Sequence, residues 1–206
     1  MWSHTINYIN LKFILIGLIN IVYCAPERLK SPNGSFFYYA YGSNLLAKRI
    51  HLKNPTAVFY GTAKLKDHRL DFNLYTNDWQ GAASTIVEDK EEEVWGAVWT
   101  IDSDKMSFLD EQEGVDQGWY FAKNVTVTTP DGQELEARTY QETQVPDKTN
   151  TDIPLDRRPS STYLQVIILG AIESRLPADY IGFLVSFPSN KQLATRTRRD
   201  ELGYPF

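Results

Sequence analysis

Phe36-Phe37-Tyr38-Tyr39-Ala40-Tyr41-Gly42-Ser43-Asn44-Leu45-Leu46 is the stretch on which the reading of this chain turns. The aromatic run Phe36 to Tyr41 has the composition of a strand. Gly42 breaks it, and Leu45 to His51 has the pattern of a short helix that Asn54-Pro55 stops. Ser43 or Asn44 would cap that helix. A strand that passes through a glycine turn into a helix leaves backbone N–H groups unpaired at the turn, where a carboxylate or a developing oxyanion can be held. One glycine does not make a nucleotide loop: Gly-x-Gly-x-x-Gly and the P-loop lysine are both absent.

Downstream, Ala57–Leu65, Arg69–Leu74, Ala83–Glu88 and Val94–Ile101 read as strands. Residues 76–81 form a loop around Trp79, and the acidic run Asp89-Lys90-Glu91-Glu92-Glu93 reads as a solvated turn. Asp102 or Ser103 can start a helix that continues through Met106 and Leu109 to Gln112, with Gly114 just past its end. Tyr120–Thr128 and Leu135–Gln141 are two strands joined at Pro130-Asp131-Gly132. Residues 144–160 carry three prolines and read as loop. Ser161–Arg175 has helical length and is closed by Pro177. Many short strands with two or three helices predict an α+β domain on a curled or closed sheet. The domain spans residues 36–185, after a linker over 25–35 and before a polar C-terminal tail over 186–206.

The first 24 residues stand apart. Lys12 precedes an apolar run from Phe13 to Ala25, too short for a confident membrane span and interrupted by Asn20. Its length and small-residue exit predict a signal peptide over 1–24 and a secreted protein with no stable membrane contact after cleavage. The alternatives are an uncleaved anchor, or a cytoplasmic protein whose start codon lies further downstream. Cys24 is the only cysteine, so the mature chain has no disulfide, no cysteine nucleophile and no cysteine-based zinc site. Asn33-Gly34-Ser35 and Asn124-Val125-Thr126 are glycosylation sequons.

Acidic residues outnumber basic ones, 26 to 21, for a net charge of -5, which argues against nucleic acid as a partner. His51 and His68 lack ligand spacing, so no metal site is expected. A Ser-His-Asp triad built on Ser43 rests on nothing beyond the presence of common residues. Glu113 is more informative. It sits among Asp110, Glu111 and Asp116 at a helix end, where the dipole disfavours negative charge by roughly 0.3–1 kcal/mol. Burial can raise a carboxyl by about 3–5 pKa units, so desolvation would have to dominate if Glu113 is a tuned proton carrier. The turn at 41–44 and the carboxylate of Glu113 together suggest acid–base chemistry on a small, carboxylate-bearing substrate.

Taken together, Tyr38 to Leu46, Arg49-Ile50-His51-Leu52, Asn54-Pro55, Leu70-Asp71-Phe72, Val94-Trp95-Gly96, Leu109-Asp110-Glu111-Gln112-Glu113-Gly114-Val115 and Tyr163 resemble the animal-type γ-glutamylcyclotransferase family. The likeness covers about residues 36–180. It implies a small mixed β-barrel flanked by helices and release of 5-oxoproline from small-molecule γ-glutamyl amino acids, without metal or cofactor. It also suggests a homodimer. By motif position, Glu113 looks like the family's catalytic acid–base. Tyr38, Tyr39, Ala40, Tyr41, Gly42 and Ser43 look like its substrate loop, and Tyr163 resembles a tyrosine that closes over the substrate. Two other readings share the fold: a cyclotransferase for other γ-glutamyl amines, and a secreted binding protein without turnover.

Overall fold

The computed structural model describes residues 28–149 and 153–206. The expected signal peptide lies outside the described residues. Five strands close into a barrel in the order β1-β3-β2-β4-β5, with β1 Ser35–Ala40, β2 Val58–Thr76, β3 Gly81–Asp102, β4 Tyr120–Thr128 and β5 Glu134–Glu142. Neighbours are antiparallel except at the closing seam, where β1 runs parallel to β5 with Tyr38 opposite Arg138. The helices are α1 Ala47–His51, α2 Met106–Gln112, α3 Ser161–Glu173, α4 Ala178–Ser186 and α5 Arg196–Leu202. The mixed barrel flanked by helices is the expected α+β fold. Its interior is filled by alternate strand residues, among them Phe37, Tyr39, Phe72, Ile86, Ile101 and Leu135, all fully buried.

The pieces read as four separate strands are two long ones, of 19 and 22 residues. Strands of that length must bend to follow a barrel, and the bends lie where the sequence pattern broke. Between the pairs Lys66↔Glu93 and His68↔Glu88, one residue of β2 stands against four of β3. Asp67 and Glu91 take the positive φ that this bulge requires, 57° and 73°. The acidic run is therefore a solvated bulge within a continuous strand, and its exposed charges are what made it resemble a turn.

The segment 186–206 is not a loose tail. Thr195 caps α5 by accepting from the Arg198 N–H, and Ala194 and Leu202 are buried. Two apolar residues among many charged ones suffice to seat so short a helix, which is why composition alone read as polar. Nor did the sequence reading contain α4: Pro177 ends α3 and also stands at the N-cap of α4. The linker joins the sheet at Leu29, whose N–H donates to Glu134 O at 2.9 Å.

Two features of this frame set the site. The turn that follows β1 is held from behind by α3, where Ser174 Oγ donates to Leu45 O at 3.1 Å. The end of α2 is locked as well. Val115 N–H donates to Asp110 O at 3.0 Å and Gly114 N–H to Glu111 O at 3.1 Å, the paired bonds of a Schellman ending. Gly114 takes the required positive φ of 66°. Glu113, the last residue before that turn, is thus fixed in direction by backbone geometry.

Candidate active site

A cavity of about 50 Å³ lies where the end of β1, the start of β3, the end of α2, the start of β4 and α3 meet. Tyr38, Tyr41, Gly42, Ser43, Glu113 and Tyr163 line it, joined by Asn44, Ser84, Tyr120 and Tyr140. Tyr39 and Ala40, also singled out in the sequence, do not line it. Alternation along β1 turns Tyr39 to the other face, where its hydroxyl donates to Val94 O at 2.6 Å. Ala40 is buried in the ladder opposite Ala97. Neither His51 nor His68 is among the lining residues; each ring bonds a nearby carbonyl, Ala57 O and Lys66 O. Among the described residues there is no cluster of three metal-ligating side chains.

The turn differs from the expected cap. Gly42 precedes a 3-10 turn over Ser43–Leu45, and no side chain caps it. Asn44 reaches the other way. Its amide nitrogen donates to Tyr38 Oη at 3.0 Å and to Glu113 Oε1 at 3.3 Å, while its buried Oδ1 has no partner among the described residues. A Cβ on Gly42 would come within 2.2 Å of Ser84 Oγ. Its φ of -112° lies outside the left-handed region, and the close approach of β3 leaves no room for a side chain at 42.

Among the described residues, Glu113 is the only side chain with an ionisable carboxyl or a cationic group lining this cavity. Desolvation raises its pKa to about 7, against the lowering effects of Arg49 and of hydrogen bonds from Gln112 and Asn44. Burial is the largest cause of the raised value, the condition the sequence argument set for a tuned proton carrier. Tyr140 is held beside it: its hydroxyl donates to Asp110 Oδ1, which also receives Arg138 Nη2 at 2.6 Å. Tyr41 Oη donates to Tyr140 O at 2.5 Å. Tyr163 forms fixed wall, its hydroxyl accepting from the Ser84 N–H at 3.1 Å and bonding Ser84 Oγ at 3.0 Å.

Behind the wall lies a second buried carboxyl. Glu142, at the end of β5, accepts the Leu74 N–H at 3.1 and 3.2 Å and lies 3.2 Å from Tyr120 Oη. Burial raises its pKa to about 7. Tyr120 Oη also lies 2.9 Å from Ser84 O. One hydroxyl proton cannot serve both acceptors, and a protonated Glu142 resolves this by donating to Tyr120, which then donates to Ser84.

The small cavity opens beside a cleft of about 440 Å³, and Ser43, Glu113, Tyr120 and Tyr163 line both. The cleft is walled by Arg49, Asp78, Trp79, Gln112, Trp119 and Arg198, among others. The two together can take a ligand with a compact polar end and a larger remainder. Asn44, Ser84, Tyr120, Tyr140 and Arg49 were not among the site residues read from sequence. The small residues Ala82-Ala83-Ser84, which permit close approach, were the one local signal for Ser84.

Comparison with known proteins gives a consistent picture. The profile of the AIG2-like family matches residues 93–184. A γ-glutamylcyclotransferase from Bos taurus is 44% identical over 169 residues, 80% of this chain and 85% of that protein. The Homo sapiens γ-glutamylcyclotransferase is 41% identical over 150 residues, 71% of this chain and 75% of that protein. A solved structure of a γ-glutamyl cyclotransferase superposes with a TM-score of 0.74 at 36% identity, covering 82% of this chain and 98% of its own. On the strength of that identity and coverage, this chain belongs to the γ-glutamylcyclotransferase family.

Proposed function

We propose that this protein is a γ-glutamylcyclotransferase, releasing 5-oxoproline and a free amino acid from γ-glutamyl amino acids, and that Glu113 carries the proton. The observation that carries this reading is the buried carboxyl of Glu113, facing a small hydroxyl-lined cavity with its pKa raised to about 7.

The chemistry follows from that group. The substrate's α-ammonium must lose a proton before its nitrogen can attack. An ordinary carboxylate is a poor acceptor for it. Raising the carboxyl from 4.5 to about 7 improves the match by about 3 kcal/mol. Ionised Glu113 takes the proton, and the freed amine attacks the substrate's own γ-carbonyl and closes a five-membered ring. As the C–N bond to the amino acid breaks, Glu113 returns the proton to the departing nitrogen, and the ring nitrogen's surplus proton passes to the released amine, leaving a neutral lactam and an ammonium. One carboxyl serves both steps because the two nitrogens are bonded to the same carbon in the cyclic intermediate.

The turn 41–43, with the hydroxyls of Tyr38, Tyr41 and Tyr163, would hold the glutamyl end folded. The unpartnered Asn44 Oδ1 is an acceptor suited to the ammonium. Holding the reacting conformer is the larger contribution, since effective molarities for oriented intramolecular attack reach roughly 10⁵–10⁸ M.

Incubating the purified protein with γ-glutamyl-alanine tests the reading: 5-oxoproline and alanine should appear in equal amounts. Ligand binding without 5-oxoproline would favour a binding protein on the same fold. We further propose export with removal of residues 1–24, to be checked by N-terminal sequencing of protein recovered from culture medium. We propose a homodimer as well, to be checked by light scattering.

A further inference from the structure

Arg49 is the one cationic side chain of the cleft that has no salt bridge among the described residues. It lies on α1, is only 8% exposed, and its Nε and Nη1 have no hydrogen-bond partner among the described residues. Its guanidinium stands over the Trp79 ring, 5.9 Å from the centroid. On the same ring, at 5.2 Å, stands Arg198, but that residue is paired with Asp78 and Glu201, each at 2.7 Å. Two arginines therefore face one cleft, and one of them is neutralised. A buried guanidinium with idle donors is costly unless a ligand supplies the anion.

We propose that Arg49 binds the carboxylate of the departing amino acid and so selects γ-glutamyl α-amino acids over γ-glutamyl amines. The inference rests on the cyclotransferase reading and deepens it. The division of space supports it. Arg49 is not among the residues of the small cavity around Glu113, whose hydroxyls and turn suit the glutamyl end, but it does line the larger cleft that adjoins it. The remainder of the substrate, beyond the scissile bond, must lie in that cleft. A planar guanidinium offers two parallel N–H groups to a carboxylate. Of the two carboxylates of the cleft wall, Asp78 is held by Arg198 at 2.7 Å, and Glu113 acts on Arg49 through its charge with no salt bridge between them among the described residues. Desolvation and the nearby Arg198 lower the pKa of Arg49, and the charge of Glu113 opposes them only in part.

The test compares γ-glutamyl-alanine with γ-glutamyl-ethylamide, which differs only by the carboxylate. Wild type should favour the alanine compound at least tenfold in kcat/KM. In Arg49→Gln that ratio should fall about ten- to a hundredfold, the worth of a charge-assisted contact, chiefly through KM. Arg49→Lys should restore part of it. A ratio is independent of the fraction of enzyme that folds, so a merely structural role for Arg49 leaves it unmoved. Equal loss on both compounds, an unchanged ratio, or a wild type that does not distinguish them would overturn the assignment. If Arg49→Gln has no activity on either, the ratio in Arg49→Lys decides. Release of 5-oxoproline from neither compound by wild type would instead overturn the cyclotransferase reading itself.

Discussion

The amide nitrogen of Asn44 lies 3.3 Å from Glu113 Oε1, so the turn after β1 and the end of α2 are joined through one side chain. The same nitrogen lies 3.0 Å from Tyr38 Oη, which makes Asn44 the tie between the residues around the substrate and the proton carrier. This bond lowers the pKa of Glu113, since it favours the ionised form. Asn44→Ala should therefore move the acid limb of the pH–kcat/KM profile upward from its wild-type position. A profile that stays in place or moves down would show that the contact does not stabilise the carboxylate.

In wild type that limb should lie at about 7, the value to which burial brings Glu113. The base must be ionised to accept a proton, so kcat/KM falls tenfold per pH unit below the limb and levels above it. Glu113→Gln keeps the shape of the site and removes the base. It should still bind substrate while losing roughly 10²–10⁴-fold in turnover. Near-normal turnover would remove Glu113 from the mechanism.

Gly42 is defined by its distance from Ser84. A Cβ would stand 2.2 Å from Ser84 Oγ, but 3.3 Å from the Tyr163 hydroxyl and 3.5 Å from Ser84 Cβ. Gly42→Ala should cost about 1–3 kcal/mol of stability and at least tenfold in activity. Adding Ser84→Ala removes the offending oxygen, so the double variant should be more stable than Gly42→Ala alone. Additive losses in a double-mutant cycle would show that the clash is not with Ser84.

Glu142 offers a test by pH and stability. Its folded pKa of about 7 lies above the ordinary value of 4.5. A carboxyl raised by folding contributes stability fully below its unfolded pKa and loses it as pH rises through the folded one. Between about pH 4.5 and 7 the loss should reach about 3 kcal/mol. Glu113 contributes a loss of its own in that window, so the comparison must be with Glu142→Gln. The variant should lose about 3 kcal/mol less than wild type across it, measured by urea unfolding. Parallel curves would mean that Glu142 titrates normally.

The sequence carried the landmarks of this molecule better than their surroundings. Phe36 to Leu46 and Leu109 to Val115 are local patterns, and strand, turn and helix ending appear where local chemistry predicts them. Burial is not local. Nothing near Glu113 in sequence reveals that Tyr38, Asn44 and Tyr140 desolvate it. Tyr39 shows the converse, a residue inside the motif whose side chain the pleat turns away. Ser84 and Tyr120 enter the site only through barrel closure, so their neighbours in sequence say little about them. The breaks at Asp67 and Glu91 misled for a physical reason: a bulge and a turn ask for similar residues, and only cross-strand register tells them apart.

One wall of the cleft depends on a contact across 120 residues, Arg198 on Asp78. At synthesis rates of about 5–20 residues per second, that separation corresponds to roughly 6–24 s of translation. During this interval Trp79 lacks one of the two guanidinium groups over its ring, and Asp78 lacks its Arg198 partner. A growing chain can therefore complete the barrel strands before the cleft has its final electrostatic character. The charge pattern of this wall is set only once Arg198 has been made.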